Sequence, residues 1–151
     1  MAKRSARTPV GTVSFRLGVL GAGQEARYAE RLADLELKPK HVALLSALRI
    51  KGAESQLEVA AVMRVAPSLV VLLADQLEAR GAIERVRDPS DRRRQRLHLT
   101  EEGVRLLDAA TAAAAALDEE LTAPLDAADR AALARILERL AIANDLLAED
   151  I

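Results

Sequence analysis

Apolar residues return every third or fourth position along most of the chain, the spacing of a single buried helix face. Val13, Leu17, Leu20, Tyr28 and Leu32 predict a first helix from about Val13 to Leu35. Residues 1–11 carry no such pattern and read as a basic, flexible tail. The glycines of Gly18-Val-Leu-Gly-Ala-Gly23 fall inside that first helix. No strand precedes them and no Lys-Ser/Thr follows, so they read as close helix packing and not as a phosphate loop. Pro39 suits the first turn of a second helix, where its missing N–H costs nothing. That helix runs to Ile50, with Val42, Leu45 and Leu48 on its apolar face and Gly52 as its stop.

Ser55-Gln56-Leu57-Glu58 is a capping box: the serine hydroxyl accepts from the Glu58 N–H and the glutamate reaches back. It opens a short helix to about Val62. A turn, Met63-Arg64-Val65-Ala66, leads to Pro67, which opens a further helix to about Ala79. Val70, Leu73 and Leu77 form its buried stripe, and Gly81 stops it. Two short helices joined so tightly are a helix-turn-helix candidate. Here the period changes from helical to alternating. Ala82 to Arg87 reads as a strand, Asp88-Pro89-Ser90-Asp91 as a turn, and Arg94 to Leu99 as a second strand with Leu97 and Leu99 on one face. Thr100 then caps a helix that runs through Val104 and Leu107 to about Leu121. Pro124 breaks the pattern. Asp126 caps a last helix to about Ala148, striped by Leu133, Ile136, Leu137, Leu140 and Leu147. The expected fold is mainly α with a small β-hairpin.

Charge changes the picture more than composition does. The 151 residues carry a net charge of −1, which by itself announces no polyanion partner. The distribution does. Arg80 to Arg96 holds seven arginines against three acids, whereas Glu101 to Ile151 holds twelve acids against four arginines. A basic centre and an acidic C-terminal third are two separate working surfaces. There is no cysteine, which excludes a disulfide framework or thiol switch, and two histidines leave little for a metal site. One phenylalanine and one tyrosine argue against a base-stacking single-strand platform. No apolar run approaches a membrane span and no signal core follows the basic N-terminus, so a soluble cytoplasmic protein without a membrane partner is expected. No nucleophile–base pair or cofactor loop stands out. The chain reads as a non-enzyme with no cofactor.

From about Leu37 to Leu107 the chain resembles the MarR family of bacterial winged-helix regulators. The resemblance is carried by Gln56-Leu-Glu-Val-Ala60, by Asp75-Gln-Leu-Glu-Ala-Arg-Gly81, and above all by Asp88-Pro-Ser-Asp-Arg-Arg-Arg94 leading into Leu97-His-Leu-Thr-Glu-Glu-Gly103. It implies a winged helix-turn-helix lobe over residues 37–100. Flanking helices, residues 12–36 and 101–151, would intertwine with those of a second copy. The implied protein is a homodimeric repressor of transcription that binds a pseudo-palindromic double-stranded operator and is released by a small organic ligand. The competing expectation is a helical dimerisation or adaptor protein whose DNA-binding lobe has degenerated.

On this resemblance the second helix of the motif enters the major groove, presenting Pro67, Ser68, Leu69, Val71 and Leu72. Members commonly place Ser/Thr and Arg there, so the three apolar residues are a departure. They either read thymine methyls or pack on the protein's own surface. Ser55, Gln56, Arg64 and Gln76 are expected at phosphates. In the wing, Asp91 would hold Arg93 for the minor groove, with Arg92 and Arg94 at phosphates and Arg85, Arg87 and Arg96 extending the positive field. An effector pocket between dimer helices and lobe would draw on Arg16, Tyr28 and His41.

Overall fold

Each of the six helices starts at a capping side chain or at a proline in its first turn, which is why their beginnings fall where local chemistry puts them. The computed structural model describes residues 8–52, 54–91 and 93–145. A 3-10 turn at Pro9–Gly11 precedes α1 (Val13–Ala33), so the expected tail is ordered at its end. The Thr12 hydroxyl caps α1 by accepting from Phe15 N. α2 (Pro39–Lys51) and α4 (Pro67–Ala79) begin at prolines. α3 (Gln56–Met63) begins at Ser55, with both arms of the capping box formed at 3.3 and 2.8 Å. α5 (Glu101–Thr122) is capped by Thr100, and α6 (Ala127–Ala143) by Asp126.

The sheet has three strands rather than the expected two. β1 (Glu54–Ser55) pairs with β3 (Gln95–Leu99), which pairs with β2 (Ile83–Arg87), all antiparallel. Ile83 lies opposite Leu99, Arg85 opposite Leu97, and Arg87 opposite Gln95. β1 escaped the sequence reading because two residues carry no alternation; their pairing with Leu97 and Arg96 is fixed by α3 packing beside the hairpin. Leu44, Leu45, Leu48, Val59, Val70, Leu73, Leu77, Ile83 and Leu97 form the core beneath the helix-turn-helix. Leu32 enters it from α1, and Leu106 and Ala110 from α5.

Gly103 shows how α5 is seated. A Cβ there would lie 2.0 Å from the carbonyl oxygen of Ala82. Thr100 holds the approach: its N–H donates to Ala82 O at 3.1 Å and its hydroxyl to Gly81 O at 2.6 Å. The Thr-x-x-Gly sequence is therefore a hinge pin between the sheet and the helix that leaves the lobe.

Away from the lobe the apolar stripes lie exposed among the described residues. Val13, Leu17 and Leu20 of α1 are exposed, as are Ile136, Leu137 and Leu140 of α6. α6 has no buried residue at all among those described. Gly18, Gly21 and Gly23 face open space, so the close packing expected of them is not made among the described residues. α6 also stops short of the expected Ala148. The Asn144 side chain donates to Leu140 O at 2.7 Å, and Asp145 turns left-handed at φ 54°. Leu147 lies outside the described residues.

Candidate DNA-binding surface

α3 and α4 are bent by 111° at their turn, within the range of helix-turn-helix pairs. The turn closes through Arg64, left-handed at φ 52°, whose N–H bonds to Ala61 O. α4 buries Val70, Leu73, Ala74 and Leu77 against the lobe. The opposite side of its first turns carries Pro67, Ser68, Val71 and Leu72, all exposed. Of the three apolar residues singled out from sequence, Leu69 is half-buried against the core, whereas Val71 and Leu72 face outward.

The wing is held by an aspartate that sequence reasoning passed over. Asp88 is buried, and its carboxylate accepts from Ser90 N at 2.8 Å, from the Ser90 hydroxyl at 2.6 Å and from Arg96 Nε at 2.7 Å. The Ser90 donors and the Arg96 guanidinium hold its pKa well below the ordinary aspartate range. Its N–H donates to Arg94 O at 2.9 Å, closing the hairpin. Asp91 acts differently from expectation. It accepts from the backbone N–H of Arg93 at 3.0 Å, and its other oxygen lies 3.7 Å from Arg94 Nε. It shapes the turn that presents Arg93 without gripping the Arg93 guanidinium. Arg92 lies outside the described residues.

The basic run divides into structural and available arginines. Arg80 donates to the carbonyls of Leu35 and Glu36 at 2.9 and 2.8 Å, tying α4 to the end of α1. Arg85 is largely buried and ion-paired to Asp75, at 2.5 Å, and to Glu78. Arg96 is held by Asp88. Arg85 and Arg96 therefore act first inside the lobe, where the sequence reading had put them on its outer field. Among the described residues, Arg87 and Arg93 have no carboxylate partner, and Arg94 remains exposed. Arg87 and Arg93 converge with Ser55, Gln56, Leu57 and Gln95 on a cleft of about 340 Å³ between the wing and the start of α3. The positive end of the α3 helix dipole and two guanidinium groups make this cleft suited to an anion. Its neighbour Glu58 is drawn into the cap of α3, and the Ser55 hydroxyl and N–H lower its pKa to about 2.

Two expected phosphate contacts have other partners. Arg64 points to the end of α6, where its guanidinium donates to the carbonyl of Asp145. Gln76 Oε1 lies 2.7 Å from His41 Nε2. His41 Nδ1 accepts from Lys38 N at 3.1 Å, which leaves Nε2 to donate to Gln76 Oε1. His41 is thus a buried cap that locks α2 to α4, not a pocket residue. The three candidate effector residues do not converge. Arg16 stands on the exposed half of α1, twelve residues or about 18 Å along the helix from Tyr28. Tyr28 is half-buried, its hydroxyl donates to Ala110 O at 3.2 Å, and desolvation raises its pKa. It lines a cleft of about 340 Å³ between α1 and α5 with Gln24, Glu25, Ala114, Leu117 and Asp118. No group of three or more metal-ligating side chains occurs among the described residues.

A tightly bent helix pair backed by a three-stranded sheet, with a basic hairpin projecting beside it, defines a winged helix-turn-helix protein. Comparison with known proteins narrows the class. Residues 37–94 match the model of the MarR family. A Thauera aromatica protein assigned by name to regulation of the hcr operon is 33% identical over 135 residues, 86% of this chain and 81% of the relative. The transcriptional repressor NicR of Pseudomonas putida is 30% identical over 115 residues, 76% of this chain and 73% of NicR. The crystal structure of CouR from Rhodococcus jostii RHA1, bound to p-coumaroyl-CoA, matches with a TM-score of 0.73 at 30% identity, over 95% of this chain and 100% of that one. The chain belongs to the MarR family of transcriptional regulators, which are not enzymes.

Proposed function

We propose that this chain is a homodimeric, sequence-specific repressor that binds double-stranded DNA and is released by a small organic ligand. The observation that carries the reading is the convergence of Arg87, Arg93 and the start of α3 on one cleft suited to an anion. In this reading α4 lies in the major groove. Arg93 at the wing tip enters the minor groove, whose negative potential attracts arginine. Ser55 and Gln56 meet a phosphate through the helix start, and Arg94 and Arg92 meet others.

Dimerisation is supported by the unpartnered stripes of α1 and α6. Leucine faces left bare on two long helices are an interface or a liability. Burying them against a second copy fixes the separation of the two lobes, and two lobes one helical turn apart read a pseudo-palindrome. The acidic α5–α6 region stays away from the polyanion while the wing turns towards it. The ligand enters the α1–α5 cleft at Tyr28 and favours a different lobe separation. It acts only through its differential affinity for the two arrangements. The adaptor alternative loses support, because the wing retains a complete Asp88–Ser90–Arg96 clamp, which a hairpin with nothing to bind would not need.

Footprinting on the protein's own upstream intergenic DNA, with the mass of the complex from light scattering, tests the reading. It expects two protected major-groove patches about one turn apart, roughly 34–36 Å, under two chains. One patch under a single chain would refute it.

A further inference from the structure

We propose that α4 selects its operator through the 5-methyl groups of pyrimidines in the major groove, so that thymine, and equally 5-methylcytosine, is the base it favours. The proposal rests on the DNA-binding reading above and specifies its chemistry. Ser68, Val71, Leu72 and Asp75 fall three and four residues apart and form one outward stripe on α4. Val71 is 40% and Leu72 52% exposed, which leaves their branched side chains for a partner and not for the core.

The hydrogen-bonding groups that could read a base edge are already engaged. Neither α3 nor α4 contains a lysine or arginine. Arg64, in the turn between them, is bonded to the carbonyl of Asp145. A paired adenine contact needs both ends of an amide, and the Gln76 carbonyl end is held by His41. Asp75 is ion-paired to Arg85 at 2.5 Å. Ser68 remains, a single hydroxyl that cannot make the two parallel bonds by which guanine is distinguished. What the groove floor offers an alkyl side chain is the methyl group at pyrimidine C5. The occupant is fixed by charge as well. The available cations of the lobe, Arg87 and Arg93, lie on the adjoining wing. An apolar stripe beside a cationic rim complements the floor and phosphates of a duplex, whereas a second protein would meet uncompensated positive charge.

The experiment uses the full chain and removes methyl groups from the DNA. Duplexes enriched by the wild-type protein from a random pool are resynthesised with single thymines replaced by deoxyuridine, and Kd is measured by fluorescence anisotropy at fixed salt. Each methyl lost under α4 should weaken binding roughly fourfold, the equivalent of one buried methyl(ene) group. Thymines elsewhere should tolerate the change. A cytosine placed at a sensitive position should bind more tightly once methylated at C5, by a similar factor. Leu72→Ala should bind thymine and deoxyuridine duplexes alike at one position of each half-site. Deoxyuridine tolerated by the wild-type protein throughout the half-site would overturn the proposal while leaving DNA binding intact. Failure to enrich any duplex over scrambled DNA would overturn the DNA-binding reading itself, and the proposal with it.

Discussion

Gly103 is the glycine at which packing leaves least room, since a methyl group on its α-carbon would overlap the Ala82 carbonyl. Gly103→Ala should therefore destabilise the fold by roughly 1–3 kcal/mol, the usual cost of overpacking, and lower the urea midpoint without changing the m-value. Arg93 is the opposite case. It is exposed, has no carboxylate partner among the described residues, and contributes nothing visible to the fold. Arg93→Ala should leave the urea midpoint unchanged and weaken specific DNA binding by about 1–3 kcal/mol. Affinity equal to wild type would remove Arg93 from the minor groove. The family resemblance marked Arg93, with Asp91 two residues before it, and in the structure Asp91 accepts from the Arg93 backbone N–H and sets the bend. The resemblance did not show that Arg85 and Arg96 are engaged within the lobe. Their partners, Asp75, Glu78 and Asp88, are brought to them by the packing of α4 and the closing of the hairpin. For the same reason His41 read as a loose pocket candidate until α4 brought Gln76 beside it.

At the scale of elements, what was legible is what is built from neighbours in the chain. Capping residues and prolines placed the starts of α2 to α6, apolar spacing placed that of α1, and the alternation of Arg94 to Leu99 placed a strand. The two-residue β1 was not legible, because its existence depends on β3 forty residues away. The end of α6 was missed because its leucine stripe continues past Asn144, while the asparagine side chain and a left-handed Asp145 end the helix first. The junction of β1 and α3 also carries an acid sensitivity. Glu58 in the folded protein titrates at about 2, against an ordinary value of 4.5. Between those values Glu58 takes up a proton in the unfolded chain and not in the folded one, so this group makes acid favour unfolding. The neighbouring Glu54, raised by burial and by its hydrogen bond to Glu58, offsets part of the effect. The Glu58 contribution is complete above about pH 5 and fades as pH falls towards 2. Asp88, held low by Ser90 and Arg96, adds a loss of the same sign. Urea midpoints should fall below pH 5, and less steeply in Glu58→Gln; an identical fall in both proteins would show that the capping box is not the source.

For the whole molecule, the account turns on a division of labour between a basic lobe and bare helical arms. Ile136, Leu137 and Leu140 are exposed on a helix that buries nothing among its described residues. Leu140→Glu should convert the dimer to monomers in light scattering and lose the operator's preference over scrambled DNA, while far-UV circular dichroism keeps the lobe's signal. A dimer unaffected by that charge would place the interface elsewhere. The central claim, that this surface recognises a particular duplex, is tested most directly by titrating the purified protein on its own upstream intergenic DNA and on scrambled DNA at two salt concentrations. The account predicts tight binding to the upstream duplex alone, with affinity falling steeply as salt rises because several arginines displace phosphate counterions. Equal, weak binding to both duplexes would contradict it.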